Sequence, residues 1–320
     1  MNLILNRATL TQSFQIPIYQ EKNFIMQNIK SLAITFILIA NFISLCTIES
    51  SAQVQKSRYK DFRKNFKTSI IKEIKAPQFY NEFDSPPENV SVVSYESNGR
   101  KLKGLLNTVN LDSTKKTKAI VYLHGGFSLG YSDLSDCQPF IDAGYIVFAP
   151  TYRGENGNEG NFEYFFGEVE DAENAVNWLA KQSYIDSEQI FVFGHSIGGG
   201  MSALLSLNNN CASKLNGSSS GIYFQEWLPQ LVDEENMPFD ISIENEILYR
   251  CPVYTLNYLE RRHLMYIGSD DDFEWYKTTI EEMYENTIPK YFNLIELDGD
   301  HFSSLEPSMI KFIEEIEKKL

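Results

Sequence analysis

The chain has 320 residues, of which 43% are hydrophobic and 22% charged, a composition that excludes bulk disorder and leaves room for one large domain or two small ones. Its formal net charge of −15 argues against nucleic acid or an anionic membrane surface as a partner. Excess acid of this kind says nothing specific about a substrate.

The N-terminus differs in kind from the rest. Ser31 to Leu45, "SLAITFILIANFISL", is an apolar run with Lys22 and Lys30 ahead of it. Ser50 and Ala52 follow, so "ESSA" before Gln53 fits a signal-peptidase site. The run is short for a membrane span, which takes about 20 apolar residues. Residues 1–52 are read as a cleaved secretory signal, which makes the mature protein secreted or periplasmic. An uncleaved membrane anchor is the lesser reading. Leu45 is large where a small residue should precede Cys46, which speaks against a lipid on that cysteine. Signal n-regions are short, so Met26 is an alternative start. After cleavage Cys137, Cys211 and Cys251 remain, an odd number that leaves at least one thiol free or paired with another chain. A Cys211–Cys251 bridge stays open, and no CxxC or HxxxH accompanies these cysteines to make a zinc site.

Residues 53–89 are mixed and charged, ending in the Pro-rich boundary "FDSPPEN". From Val90 the pattern turns strand-like, with "VSVVSYE", the turn "SNGR" and "KLKGLLNTV" forming a hairpin. Five apolar runs come next: "AIVYLHGG" (119–126), "YIVFAPTYR" (145–153), "QIFVFGHS" (189–196), "HLMYIGS" (263–269) and "FNLIELDG" (292–299). Runs this apolar, without alternation, suit strands of a parallel sheet covered on both faces. Between them lie amphipathic stretches. Glu168 to Lys181 sets Val169, Ala172, Ala175, Val176 and Leu179 on one stripe, and Phe273 to Asn286 and Glu306 to Leu320 read as two more helices. Repeated strand and helix predict an α/β fold with right-handed crossovers over 90–320. The least regular stretch, 208–250, is expected to be a lid-like insertion.

"GHSIGG", Gly194 to Gly199, follows a strand and opens a helix, and so satisfies G-x-S-x-G in the right context. A serine on such a turn takes a strained backbone and projects its hydroxyl from the sheet. Gly194 and Gly198 are the small residues the turn needs, and the new helix aims its N–H groups at the same spot. Ser196 as nucleophile needs a base, and the chain has four histidines. His195 adjoins Ser196 and must point elsewhere, His124 braces its loop, and His263 starts a strand on the wrong edge. His301, past a strand end and before the last helix, fits the order Ser, acid, His. The acid is expected from "SDDD" after the "LMYIG" strand, while Asp298 and Asp300 read as turn residues. For the oxyanion, one N–H comes from Ile197 and the other from Gly126 or Phe127 of "HGGF".

With these residues in view, the chain resembles the α/β-hydrolase superfamily, close to the catalytic domain of prolyl oligopeptidase-type (S9-like) serine peptidases and to dienelactone hydrolases. The stretches that carry it are "VYLHGGF", "DAGYIVFAPTYRGENGNEGNF", "GEVEDAENAVNWLAKQSYIDSEQIFVFGHSIGGG", "YRCPV" ahead of "HLMYIGSDDD", and "DGDHF". The resemblance implies an acid at G-x-x-D after the strand, which from Gly268 is Asp271, with Asp270 one register away. Asp272 then starts the next helix. Residues 53–89 are too few for the β-propeller that such peptidases usually carry, and no pair of glutamates forms an amino-terminus clamp, so peptide over ester selectivity is not implied. The reading is an α/β-hydrolase fold with a mostly parallel sheet and helices on both faces. Its expected chemistry is acyl transfer to water on a small-molecule or short-peptide substrate, without metal or organic cofactor. A carboxylesterase or dienelactone hydrolase-like enzyme is the alternative, and a non-catalytic binding protein on the same fold the minor one.

Overall fold

A computed structural model describes residues 65–76, 83–112, 114–231 and 236–318. The apolar run Ser31–Leu45, the alternative start at Met26 and the expected cleavage near Ala52 lie outside the described residues. Among the described residues, no helix is long and apolar enough to cross a membrane.

Among the described residues eight strands form one sheet in the order β1-β2-β4-β3-β5-β6-β7-β8. β1 (Val90–Ser97) and β2 (Arg100–Asn107) are the hairpin, closed at Ser97 opposite Arg100. Asn98 and Gly99 between them both take positive φ, the backbone that a two-residue hairpin turn requires. β2 runs antiparallel to β4 (Ile146–Pro150). From β4 onward the neighbours β3 (Thr117–Leu123), β5 (Ile185–His195), β6 (Asn216–Ser219), β7 (His263–Gly268) and β8 (Phe292–Leu297) are all parallel.

Alternate residues of the central strands face two separate cores, as side chains on a strand must. Ala119, Val121 and Leu123 join Ile190, Val192, Met265 and Ile267 in one core, with residues of α3 (Gly167–Leu179), α4 (Ile197–Ser206) and α7 (Phe273–Met283). Ile120, Tyr122, Phe191, Phe193 and Leu264 form the other, covered by α1 (Tyr131–Asp136), α2 (Gln138–Asp142) and α8 (Leu305–Glu317). Two short helices, α5 (Leu228–Leu231) and α6 (Glu244–Leu248), stand between β6 and β7.

The stretch 208–250 departs from the expectation of a single lid-like insertion. Asn216–Ser219 is a central strand that divides the stretch into a short irregular segment before it and a longer one after it. Its sequence, "NGSS", carries no apolar residue because the strand is filled by hydrogen bonds and by neighbours' rings. Ser218 Oγ lies 3.1 Å from both His263 Nε2 and Tyr223 Oη, Ser308 Oγ donates to Ser219 Oγ, and Phe312 lies over Gly217. Cys137, Cys211 and Cys251 are all free and buried, so no Cys211–Cys251 bridge forms.

The glycine-rich loop after β4 is anchored by Arg153, which pairs with Glu163, Glu170 and Asp171. Arg153 Nε donates to Asp171 Oδ2 at 2.8 Å and Arg153 Nη2 to Asp171 Oδ1 at 2.9 Å, while the Arg153 backbone N–H reaches Oδ2 at 2.9 Å. Asp171, on α3, is fully buried and also accepts from Ser97 Oγ. Removing Asp171 takes two side-chain bonds and one backbone bond from Arg153, which keeps Glu163 at 2.8 Å and Glu170 at 3.6 Å. Asp171→Ala leaves the buried Arg153 N–H and Ser97 Oγ without this acceptor and is expected to lower unfolding stability by about 1–3 kcal/mol, measurable by urea denaturation.

Candidate active site

Ser196 stands at the turn between β5 and α4 with φ 52° and ψ −116°, a conformation outside the usual basins of an L-residue. Packing at the backbone holds it there. A Cβ on Gly194 would fall on the carbonyl of Gly198, and a Cβ on Gly198 would fall on the carbonyl of Leu123. The Ser196 N–H donates to Ser219 O at 3.0 Å, and Ser196 O accepts from Gly199, Gly200 and Ile222 N–H. The elbow is thus bonded to the end of β6 and to the segment after it. Ile197 opens α4, where the first N–H groups of a helix have no intrahelical acceptor and gather positive potential.

His301 lies in the loop between β8 and α8, half-buried, and its Nδ1 is 3.0 Å from Asp271 Oδ2. A carboxylate only accepts, so this bond places the proton on Nδ1 and leaves Nε2 as the basic nitrogen. Asp271 is partly buried, whereas Asp270 and Asp272 are exposed. The three aspartates have separate tasks. Asp270 ties loops together through its backbone, donating N–H to Gly299 O at 3.0 Å. Asp272 takes the left-handed conformation at the start of α7. Asp300 closes the turn under His301, its Oδ1 accepting from Phe302 N, Ser303 N and Ser303 Oγ.

The "HGGF" loop leans on the elbow. A Cβ on Gly125 would meet Ser196 Cβ at 3.5 Å, and Gly126 takes φ +68°. Phe127 turns its ring inward, edge-on to Phe162 at 5.3 Å and stacked on Tyr164 at 6.1 Å.

Behind this loop sit residues that motif reasoning passed over. Glu155 Oε1 lies 3.1 Å from His124 Nε2 and accepts the Tyr152 N–H at 2.6 Å. The Asn156 side chain spans the same loop, accepting from Leu129 N and donating to Leu129 O. The signal for both was the polar run "GENGN" itself, buried where a surface turn would be solvated. His263 is the first residue of β7, at the strand end away from the Asp271 loop, and is buried within hydrogen-bond distance of Ser206, Ser218 and Tyr223. Burial pushes its pKa down to about 3.

These geometries can be set beside known proteins. The prolyl oligopeptidase family model matches residues 131–287. A peptidase of Bacillus subtilis (strain 168), YtmA, described as uncharacterized, is 34% identical over 136 residues, which cover 41% of this chain and 52% of that one. The chain has the α/β-hydrolase fold, and residues 131–287 resemble the S9 peptidases. Solved structures agree on the fold. Porphyromonas gingivalis dipeptidyl peptidase 4 superposes with a TM-score of 0.55 at 16% identity over 71% of this chain and 35% of its own. The Pyrococcus furiosus esterase Pf2001 gives a TM-score of 0.55 at 20% identity over 78% of this chain and 97% of its own. The chain spans about half the length of the Bacillus relative.

The His124–Glu155 pair sets a pH dependence. Burial alone would lower the His124 pKa, but the adjacent carboxylate and its hydrogen bond overcome this and raise it to about 9. The folded pKa thus lies above the unfolded value near 6.5, so the stabilisation is full below about pH 6.5 and fades as pH rises through about 9. Buried Glu168, whose pKa burial raises to about 8, titrates in an overlapping range. Comparison with Glu155→Gln isolates the histidine: the variant is expected to lose most of the wild-type fall in urea midpoint between pH 6.5 and 9.

Proposed function

We propose that the chain is a serine hydrolase that transfers an acyl group to water through a covalent intermediate. The observation that carries this reading is the Asp271–His301 bond of 3.0 Å in a loop that is hydrogen-bonded to His195, the residue before a serine held at φ 52° on a strand-to-helix turn. In the proposed cycle Ser196 Oγ attacks the substrate carbonyl while His301 Nε2 takes its proton. Asp271 holds the tautomer and stabilises the imidazolium. The N–H groups of Ile197 and of Gly126 or Phe127 receive the oxyanion. His301 then returns the proton to the leaving group, and water repeats the sequence in reverse to free Ser196.

The substrate class we propose is a small ester or a short peptide. The Bacillus relative is named a peptidase, and solved structures of this fold are named both peptidases and esterases. Secretion through a cleaved signal before Gln53 is likewise part of the proposal, and N-terminal sequencing of exported protein tests it.

Ser196→Ala and His301→Ala are each expected to abolish labelling by a fluorophosphonate with little change in thermal stability. Asp271→Asn, which disturbs the tautomer, is expected to lower kcat by roughly 10⁴-fold, while Asp270→Asn stays near wild type. Equal effects of the two substitutions would move the acid off Asp271. Parallel assays on short-chain p-nitrophenyl esters and aminoacyl-nitroanilides decide the leaving group: amide cleavage marks a peptidase, and ester turnover alone an esterase.

A further inference from the structure

His195 stands between Gly194 and Ser196, yet its side chain leaves the elbow and crosses to the histidine loop. Its Nε2 lies 2.9 Å from the carbonyl oxygen of His301, and the two imidazole rings are 5.0 Å apart. A carbonyl only accepts, so Nε2 carries the proton and donates. The opposite nitrogen faces the "HGGF" loop, where a Cβ on Gly125 would stand 3.1 Å from His195 Nδ1. The side chain is 7% exposed, and burial pushes its pKa down to about 4. At neutral pH it is an uncharged donor and sets no second cation beside His301.

One side chain therefore touches three separate parts of the site. It is one peptide bond from Ser196, hydrogen-bonded to the backbone of His301, and packed on the glycine that precedes Gly126. Asp271 fixes which way the His301 ring faces, but it stands on the loop after β7 and not on the elbow. The His195 bond instead runs from the nucleophile's own strand to the base's own backbone.

We infer that His195 is a positioning residue, which holds the His301 backbone at a set distance from Ser196 and seats the oxyanion loop against both. The inference rests on the proposed hydrolase chemistry and adds a residue to it. A histidine that only filled space would be replaceable by any group of similar volume. A positioning histidine is replaceable only by a donor with similar reach.

Three variants separate these. His195→Phe keeps a flat ring and loses the donor, His195→Gln keeps an N–H at comparable reach, and His195→Asn keeps the amide on a shorter stem. With p-nitrophenyl acetate as substrate, Phe and Asn are expected to lower kcat by about 10- to 100-fold with KM changed by no more than about twofold, while Gln recovers most of the loss. The rate of inactivation by a fluorophosphonate follows kcat, and melting temperatures show that the variants are folded. Wild-type kcat in the Phe variant, or Gln no better than Asn, overturns the inference. If the Phe variant does not fold, the Gln–Asn comparison carries the test. Wild-type protein inert to the fluorophosphonate overturns the hydrolase reading itself, and this inference with it.

Discussion

The close approach of two backbones at the elbow is the constraint on which the rest of the site depends. Gly194 and Gly198 leave no room for a side chain because β5, the start of α4 and the end of β3 meet there at main-chain distance. That contact keeps Ser196 in a conformation it would not adopt alone, and the bonds to Ser219 and Ile222 close the turn from the other side. Strain of this kind, of order 1–3 kcal/mol, persists only where its surroundings over-determine it. Here two core faces and the parallel neighbours β3 and β6 do so.

The other half of the site is built by the same means, main chain against main chain. Gly268 ends β7 so close to Gly299 that a Cβ would fall on its carbonyl, and Asp270 N–H bonds that same oxygen. Ser269 N–H bonds Leu297 O at 2.7 Å. The loops after β7 and β8 are therefore zipped before either side chain is considered, and Asp271 meets His301 as a consequence of register. In a third layer, Arg153 and Asp171 hold the loop that carries Glu155 and Asn156, and these in turn hold the "HGGF" segment.

Much of this was legible in the sequence. Seven of the strands stand out as apolar runs or as a hairpin with its Asn-Gly turn, because burial on two faces demands such residues. β6 was hidden because Asn216, Gly217, Ser218 and Ser219 satisfy their burial through hydrogen bonds and a neighbouring ring, a solution that leaves no hydrophobic trace. Ser196 and His301 were legible from context and chain order. Choosing among three consecutive aspartates needed a spacing borrowed from a resemblance, since composition gives them equal claims and only loop register distinguishes them. Glu155 and Asn156 were not found because a polar, glycine-rich run looks alike whether it faces water or braces a loop.

The position of β8 has a further consequence. It is the last strand of the sheet, paired on one side with β7, and its middle residues are only half-buried. The loop with His301 hangs from this edge, whereas Ser196 hangs from β5, which is buried at the centre. Regions with fewer apolar contacts open at lower free energy than the core. Ser196 and His301 therefore belong to parts of the molecule with different local stabilities. Fraying of one edge strand would separate them while both cores stay closed, so the proposed chemistry would be lost well before the fold.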